Sequence, residues 1–273
     1  MRLLLPALSF LLIAAAADPN HEYLKSIEIW RTTQERTLKS DTGWLNVAGL
    51  FWLKEGVNRA GMDPASDIVL PAGPRKSGVF TRHGNSVTYR GADGQETPLR
   101  PNRDIVGIGR LKLFVIVRGE KIGLRMRDPE SKMLREFSGL KWYPIKPEAR
   151  IVAKFVAQPK KIRVPNVLGQ NNEEAAPGYA EFTWQGHPVR LYPVREENRL
   201  FFIFRDQTSA HGTYGAGRFL YADLPANGTV ILDFNKAENP PCAFTPFATC
   251  PLPPKENRLP FAVETGERDY GHH

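Results

Sequence analysis

The stretch Phe201–Asp223, FFIFRDQTSAHGTYGAGRFLYAD, decides the fold. Its first four residues are all apolar, so an extended segment here would be covered on both faces. RFLYAD at its end reads as a second strand. Between them stand Arg205, Asp206, Thr208, Ser209, His211, Thr213 and Tyr214, with glycines at 212, 215 and 217. A polar cluster at the end of a buried strand is a normal place for a site. The glycines would let the backbone pass close to another group. GTYGAGR lacks the Lys-Ser/Thr of a phosphate loop, and no helical pattern follows it. Two readings stand: Asp206, Thr208 and Thr213 bond backbone groups across a long hairpin, or they line a pocket with Tyr214 and Arg218.

Outward from this stretch the same texture continues. SDIVLPAG, SGVFTR, SVTYRG, LKLFVIVRG, EKIGLRMRD, RIVAKFVA, KKIRVPNVL, YAEFTWQG, HPVRLYPV and TVILDF all have strand character. Gly84-Asn85, Asp93-Gly94 and Arg118-Gly119-Glu120 read as tight turns. About a dozen strands at this spacing predict a mainly β protein, an antiparallel sandwich or barrel-like body. One amphipathic helix precedes it, over residues 18–42. Asp18 and Pro19 suit its start, Tyr23, Ile27, Trp30 and Leu38 recur on one face, and Gly43 ends it. The β body is expected over 43–267, with a tail at 268–273. WYPIKPEAR, Trp142–Arg150, would mark a boundary between two β subdomains, and a single continuous β structure is the competing reading.

The chain opens with MRLLLPALSFLLIAAAA. A cation, an apolar run and small residues in that order predict a secretory signal peptide over 1–17. The run is too short and too alanine-rich at its end for a membrane span, so no stable span is expected after cleavage. The protein is therefore expected to be exported, periplasmic or extracellular. The formal charge of +8 suggests anionic surroundings. The basic residues are dispersed and no nucleic-acid reading element is present, so nucleic acid is not an expected partner.

Several residue patterns bear on chemistry. In GLRMRD, Arg125 and Arg127 would share one strand face, about 6.6 Å apart along the strand. Such a pair suits a carboxylate or phosphate; a solvated face with Asp128 as partner is the alternative. His211, Ser209 and Asp206 lie too close in sequence for a triad, and no nucleophile elbow of the G-x-S-x-G type occurs. Histidines are isolated and no zinc spacing occurs, so neither a metal nor a cofactor is expected. Nothing in the spacing specifies a cation site from Asp206, Asp233 and Glu267.

The C-terminal stretch Asp233–Pro260, DFNKAENPPCAFTPFATCPLPPKENRLP, holds seven prolines and both cysteines of the chain. Asp233 and Asn235 would share a strand face. From Pro240 on it reads as a rigid strap anchored by Phe244, Phe247, Leu252 and Leu259. Cys242 and Cys250 are expected as a disulfide in an oxidising compartment, with a pair of buried thiols as the alternative.

These stretches, with GWLNVAGLFWLKEGVNRAG, DIVLP, FSGLKWYP, TYGAGRFL and the closing TGE, resemble the DUF1684 family, bacterial proteins whose function is not established. The resemblance spans about Ile27 to Glu267. It implies a β-rich single unit in which Asp206, Thr208, Tyr214, Arg218, Asp233, Asn235, Asn239, Cys242, Cys250, Asn257 and Glu267 belong together. Glu238 and Ala210 stand where the family pattern has tyrosine and glycine.

The expected function is binding of a small anionic ligand. Its polar pocket at the end of the β body would be lined by Arg125, Arg127, Asp206, Thr208, Tyr214, Arg218, Asp233 and Asn235. One alternative is a hydrolase with Asp206 or Asp233 as the acid/base and arginines stabilising an oxyanion. The other is a structural protein of the cell envelope. The sequence leaves the oligomeric state open.

Overall fold

The computed structural model describes residues 19–271; the signal peptide expected over 1–17 lies outside them. The protein is mainly β, with several separate sheets and one long helix, and the sheets do not close into a barrel.

The N-terminal half packs two sheets on each other. The first orders its strands Val47–Trp52, Lys121–Arg127, Leu111–Arg118 and Ile105–Ile108, all antiparallel. The second comprises Ile68–Val69, Gly56–Gly61, Gly78–His83, Ser86–Arg90 and Glu96–Leu99. Gly56–Gly61 and Ile68–Val69 are a parallel pair. Leu113, Val115, Leu124 and Met126 from one sheet meet Phe80 and Val87 from the other in a shared core. The alternation expected in GLRMRD is present: Leu124 and Met126 face this core, and Arg125 and Arg127 face away from it.

The C-terminal half has its own core. A four-stranded sheet runs His187–Leu191, Tyr179–Trp184, Arg150–Val156 and Thr229–Asp233. A three-stranded sheet runs Val194–Glu196, Arg199–Phe204 and Arg218–Asp223, and Lys160–Pro165 pairs with Asn171–Ala176. Strand Arg199–Phe204 is apolar throughout because both its faces are covered. Leu200, Phe202 and Phe204 enter one core with Leu220, Leu232 and Phe234. Phe201 and Ile203 enter another with Ile162, Val164 and Cys250. Pairing of Phe204 with Arg218 closes the polar loop 205–217 at the strand end.

The helix Pro19–Lys39 lies against the seam between the halves, burying Ile27 and Leu38. Trp30 meets Trp142 edge-on at 5.5 Å, and Arg31 donates to the Tyr143 carbonyl at 2.8 Å. The segment read as a boundary is thus held between the helix and the C-terminus, where Trp142 bridges to Glu267. The proline-rich strap crosses both halves. The Thr245 hydroxyl donates to the Val47 carbonyl at 2.8 Å, and the Leu252 amide donates to the Pro165 carbonyl at 2.7 Å. The Asn257 amide donates to the Tyr192 and Ile203 carbonyls. Gly266 has φ +76, and a Cβ there would meet the Phe234 and Ala237 carbonyl oxygens at 2.7 and 2.6 Å, so only glycine fits. Cys242 and Cys250 stand at disulfide distance, with Cα atoms 6.2 Å apart.

Candidate functional site

The eight residues expected to line one pocket fall into three separate places, with Tyr214 bonded apart from all of them. The first place is sealed. Arg218 is 0% exposed, and its guanidinium donates to Asp206 Oδ2 at 3.0 Å. It also donates to the carbonyls of Val263 at 2.8 Å, Thr265 at 2.5 Å and Glu267 at 3.3 Å. Burial pulls its pKa down against the opposing pull of Asp206. The other Asp206 oxygen accepts from the Thr208 amide at 2.8 Å, the Thr208 hydroxyl at 2.6 Å and the Val263 amide at 3.1 Å. Thr208 in turn pairs with the Thr213 hydroxyl at 2.8 Å. Every Asp206 oxygen is occupied, so this carboxylate joins the loop to the C-terminus and offers nothing to a substrate.

The second place is a knot under the helix. Asp233 Oδ1 accepts from the Tyr23 hydroxyl at 2.8 Å and from the Asn235 amide at 3.2 Å. The Asn235 side chain accepts from the Lys146 amide at 2.8 Å and the Thr265 hydroxyl at 2.6 Å, and donates to the Lys146 carbonyl at 2.8 Å. Burial and the adjacent Asp233 push the Tyr23 phenol up. Asp233 and Asn235 do converge, but on the N-terminal helix. Tyr214, half-buried, donates to the Cys242 carbonyl at 3.1 Å.

The third place is cationic. Arg118, Arg125 and Arg127 form a row where the strap crosses the first sheet. Arg118 Nε donates to the Thr249 hydroxyl at 2.7 Å, and Arg125 reaches the same oxygen at 3.4 Å. Arg125 stacks over Trp44 at 4.9 Å, and Arg127 over Phe114 at 4.7 Å. Among the described residues none of the three meets a carboxylate. Asp128, the partner expected for this face, is taken by Arg110 at 2.7 and 3.1 Å. Arg125 is only 5% exposed, and the Nε atoms of Arg125 and Arg127 are buried without a bond. Burial and the two neighbouring arginines push Arg125 down to about 10. Arg118 and Arg127 are partly exposed at either end of the row.

Trp44, over which Arg125 stacks, also lines a cavity of about 330 Å³. Helix residues Gln34 and Thr37, strand residues Phe219 and Tyr221, and strap residues Glu238, Asn239 and Phe244 line it together with Glu267. Glu267 is 2% exposed and accepts from the Asn239 amide at 2.8 Å and the Asn239 side chain at 2.9 Å. Glu238 is partly exposed. Its backbone pairs with Phe219, which fixes it beside the strand. Burial pushes Glu238 up to about 7. Burial, with Glu238 as a further contribution, pushes Glu267 up to about 8. Sequence reasoning missed Trp44, Tyr221 and Glu238 as site residues. The available signals were the Phe219/Tyr221 alternation and the acid at 238 amid Asn-Pro-Pro.

Fold and site together define a mainly β protein of two packed halves, clasped by a proline-rich strap, with an arginine row and an acidic cavity at the seam. Residues 135–268 match the family described as "Protein of unknown function (DUF1684)". The match holds the sealed Asp206–Arg218 pair, the strap and both cavity carboxyls. The motifs in 43–128, including the arginine row, lie outside it. Among solved structures, the chain is similar to a solution NMR structure of the uncharacterized protein from gene locus rrnAC0354 of Haloarcula marismortui. That similarity has 28% identity and a TM-score of 0.43, covering 54% of this chain and 85% of the other. No curated protein matches the chain.

Proposed function

We propose that this chain is an exported protein that binds a small ligand through a carboxylate or phosphate group at the row Arg118, Arg125 and Arg127. The observation that carries the reading is Arg125, a buried guanidinium with no carboxylate partner among the described residues. Burying a charge without a counter-charge is costly, and an anion at the row would remove that cost. Guanidinium groups side by side suit the paired oxygens of such an anion. The net charge of +8 would favour its approach. Export is supported by the apolar leader 1–17 and by a cysteine pair at disulfide distance. A hydrolase built on Asp206 finds no support, because both of its oxygens are spent on internal bonds, and Asp233 turns its Oδ1 to Tyr23 and Asn235 under the helix.

The test is thermal unfolding of the exported chain in inorganic phosphate and in succinate, against potassium chloride at equal ionic strength. The expected result is a higher Tm with one of the anions, lost in Arg125→Gln. No rise with either anion, or an equal rise in the variant, would overturn the reading. Intact mass of the extracytoplasmic fraction tests export; retention of residues 1–17 there would refute cleavage.

A further inference from the structure

The cavity beyond Trp44 has a chemistry opposite to that of the arginine row. Two carboxyls, Glu238 and Glu267, share it with the aromatic rings of Trp44, Phe219, Tyr221 and Phe244. No lysine or arginine among the described residues lines it. Asn239 adds a second, independent sign. It is 5% exposed, and its Oδ1 is a buried acceptor with no donor. Native interiors rarely leave such an atom unpaired. Among the described residues Glu238 makes no side-chain hydrogen bond. Arg199 stacks over Tyr221 at 3.8 Å and Arg125 over Trp44 at 4.9 Å, but neither guanidinium lines the cavity itself. Aromatic faces attract an ammonium group through their ring quadrupoles, most strongly when water is excluded.

We propose that this cavity is a binding site for a small primary amine, its ammonium set between Glu238 and Glu267 and its apolar body against Trp44 and Tyr221. The volume of about 330 Å³ is at the small end of ligand cavities, which suits a molecule of one ring or a short chain. The site does not depend on anion binding at the arginine row.

Charge balance sets the pH behaviour. Glu238 faces Glu267, Tyr221 and Arg199, and Arg199 draws its pKa down against burial. Glu267 faces Glu238, Asn239 and Arg218. Both carboxyls hold their protons to near neutrality in the empty cavity, so an arriving ammonium displaces protons, and affinity rises with pH through the neutral range.

The experiment is calorimetric titration of the exported chain with methylammonium, benzylamine and 1,4-diaminobutane, with benzyl alcohol as the uncharged control. At least one amine is expected to bind, more tightly as pH rises, while benzyl alcohol does not. Glu238→Gln keeps the side-chain shape and breaks no internal bond; it is expected to weaken the amine about tenfold, as loss of one charge-assisted contact should. Gln34→Lys, on the helix face lining the cavity, would place a tethered ammonium there and weaken the amine by competition. Failure of all three amines, equal binding of benzyl alcohol, or unchanged affinity in both variants would overturn the proposal.

Discussion

Arg218 and Asp206 form a 3.0 Å ion pair that solvent does not reach, their side chains being 0% and 1% exposed. The pair ties the loop after strand Arg199–Phe204 to the C-terminal residues 263–267, which lie on the far side of the strap in sequence. Removing one partner leaves the other charged and buried. Arg218→Met is therefore expected to cost about 3–5 kcal/mol in urea unfolding. A loss under about 1 kcal/mol would contradict a buried structural pair.

The helix Pro19–Lys39 is held by Tyr23 as well as by its apolar face. Tyr23→Phe removes the donor to Asp233 Oδ1. The expected loss is about 1–2 kcal/mol, since a buried acceptor is left short of a donor. Hydrogen exchange should rise along the helix more than in the core strands. Uniform exchange changes would argue that the helix does not depend on this bond.

Cys242 and Cys250 close a short loop in the strap. In the chain-entropy account, replacing both by serine should destabilise by about 2.5 kcal/mol. Intact mass with and without reductant should differ by the two hydrogens of the disulfide. Equal masses would show free thiols.

Ala210 sits at φ +69, where an L side chain crowds its own carbonyl. Its amide is bonded to the Thr213 carbonyl at 3.0 Å, so the turn cannot relax freely. Ala210→Gly should raise stability by about 0.5–1 kcal/mol, the relief of strain outweighing the added freedom of the unfolded chain. A lower Tm would show that the alanine methyl packs usefully.

Stability should fall as pH rises from mildly acidic to just above neutral. Glu238 and Glu267 have folded pKa values raised to about 7 and about 8 from an ordinary 4.5. A carboxyl whose folded pKa is raised adds stability in full below its unfolded pKa, and loses it as pH rises through the folded one. The decline should run from about pH 4.5 to about pH 8 and flatten beyond. Glu238→Gln should shrink it. An unchanged slope in that variant would place the titration elsewhere.

The sequence by itself determined most strands from Ile68 to Asp233, because hydrophobic alternation and Gly-centred turns are local signals, but it passed over Gly56–Gly61, Glu96–Leu99 and Ile105–Ile108. The doubly covered strand at Phe201–Phe204 was legible in four adjacent apolar letters. The helix was legible in Tyr23, Ile27, Trp30 and Leu38. Strand Asn171–Ala176 was not, since NNEEAA has no β preference and is held by pairing with Lys160–Pro165. Strand Val47–Trp52 was passed over as well; its partner Lys121–Arg127 lies far along the chain. The eight polar residues expected in one pocket lie in separate places in the fold, and the sequence could not say which faced each other. That depends on contacts between residues far apart in the chain, such as Tyr23 with Asp233 or Arg218 with Thr265. Only the tertiary structure decided that Asp206 is saturated, that Arg125 is left without a carboxylate among the described residues, and that Glu238 and Glu267 line one cavity. A side chain's type sets which bonds it can make; the packing around it decides which of them are left over for a ligand.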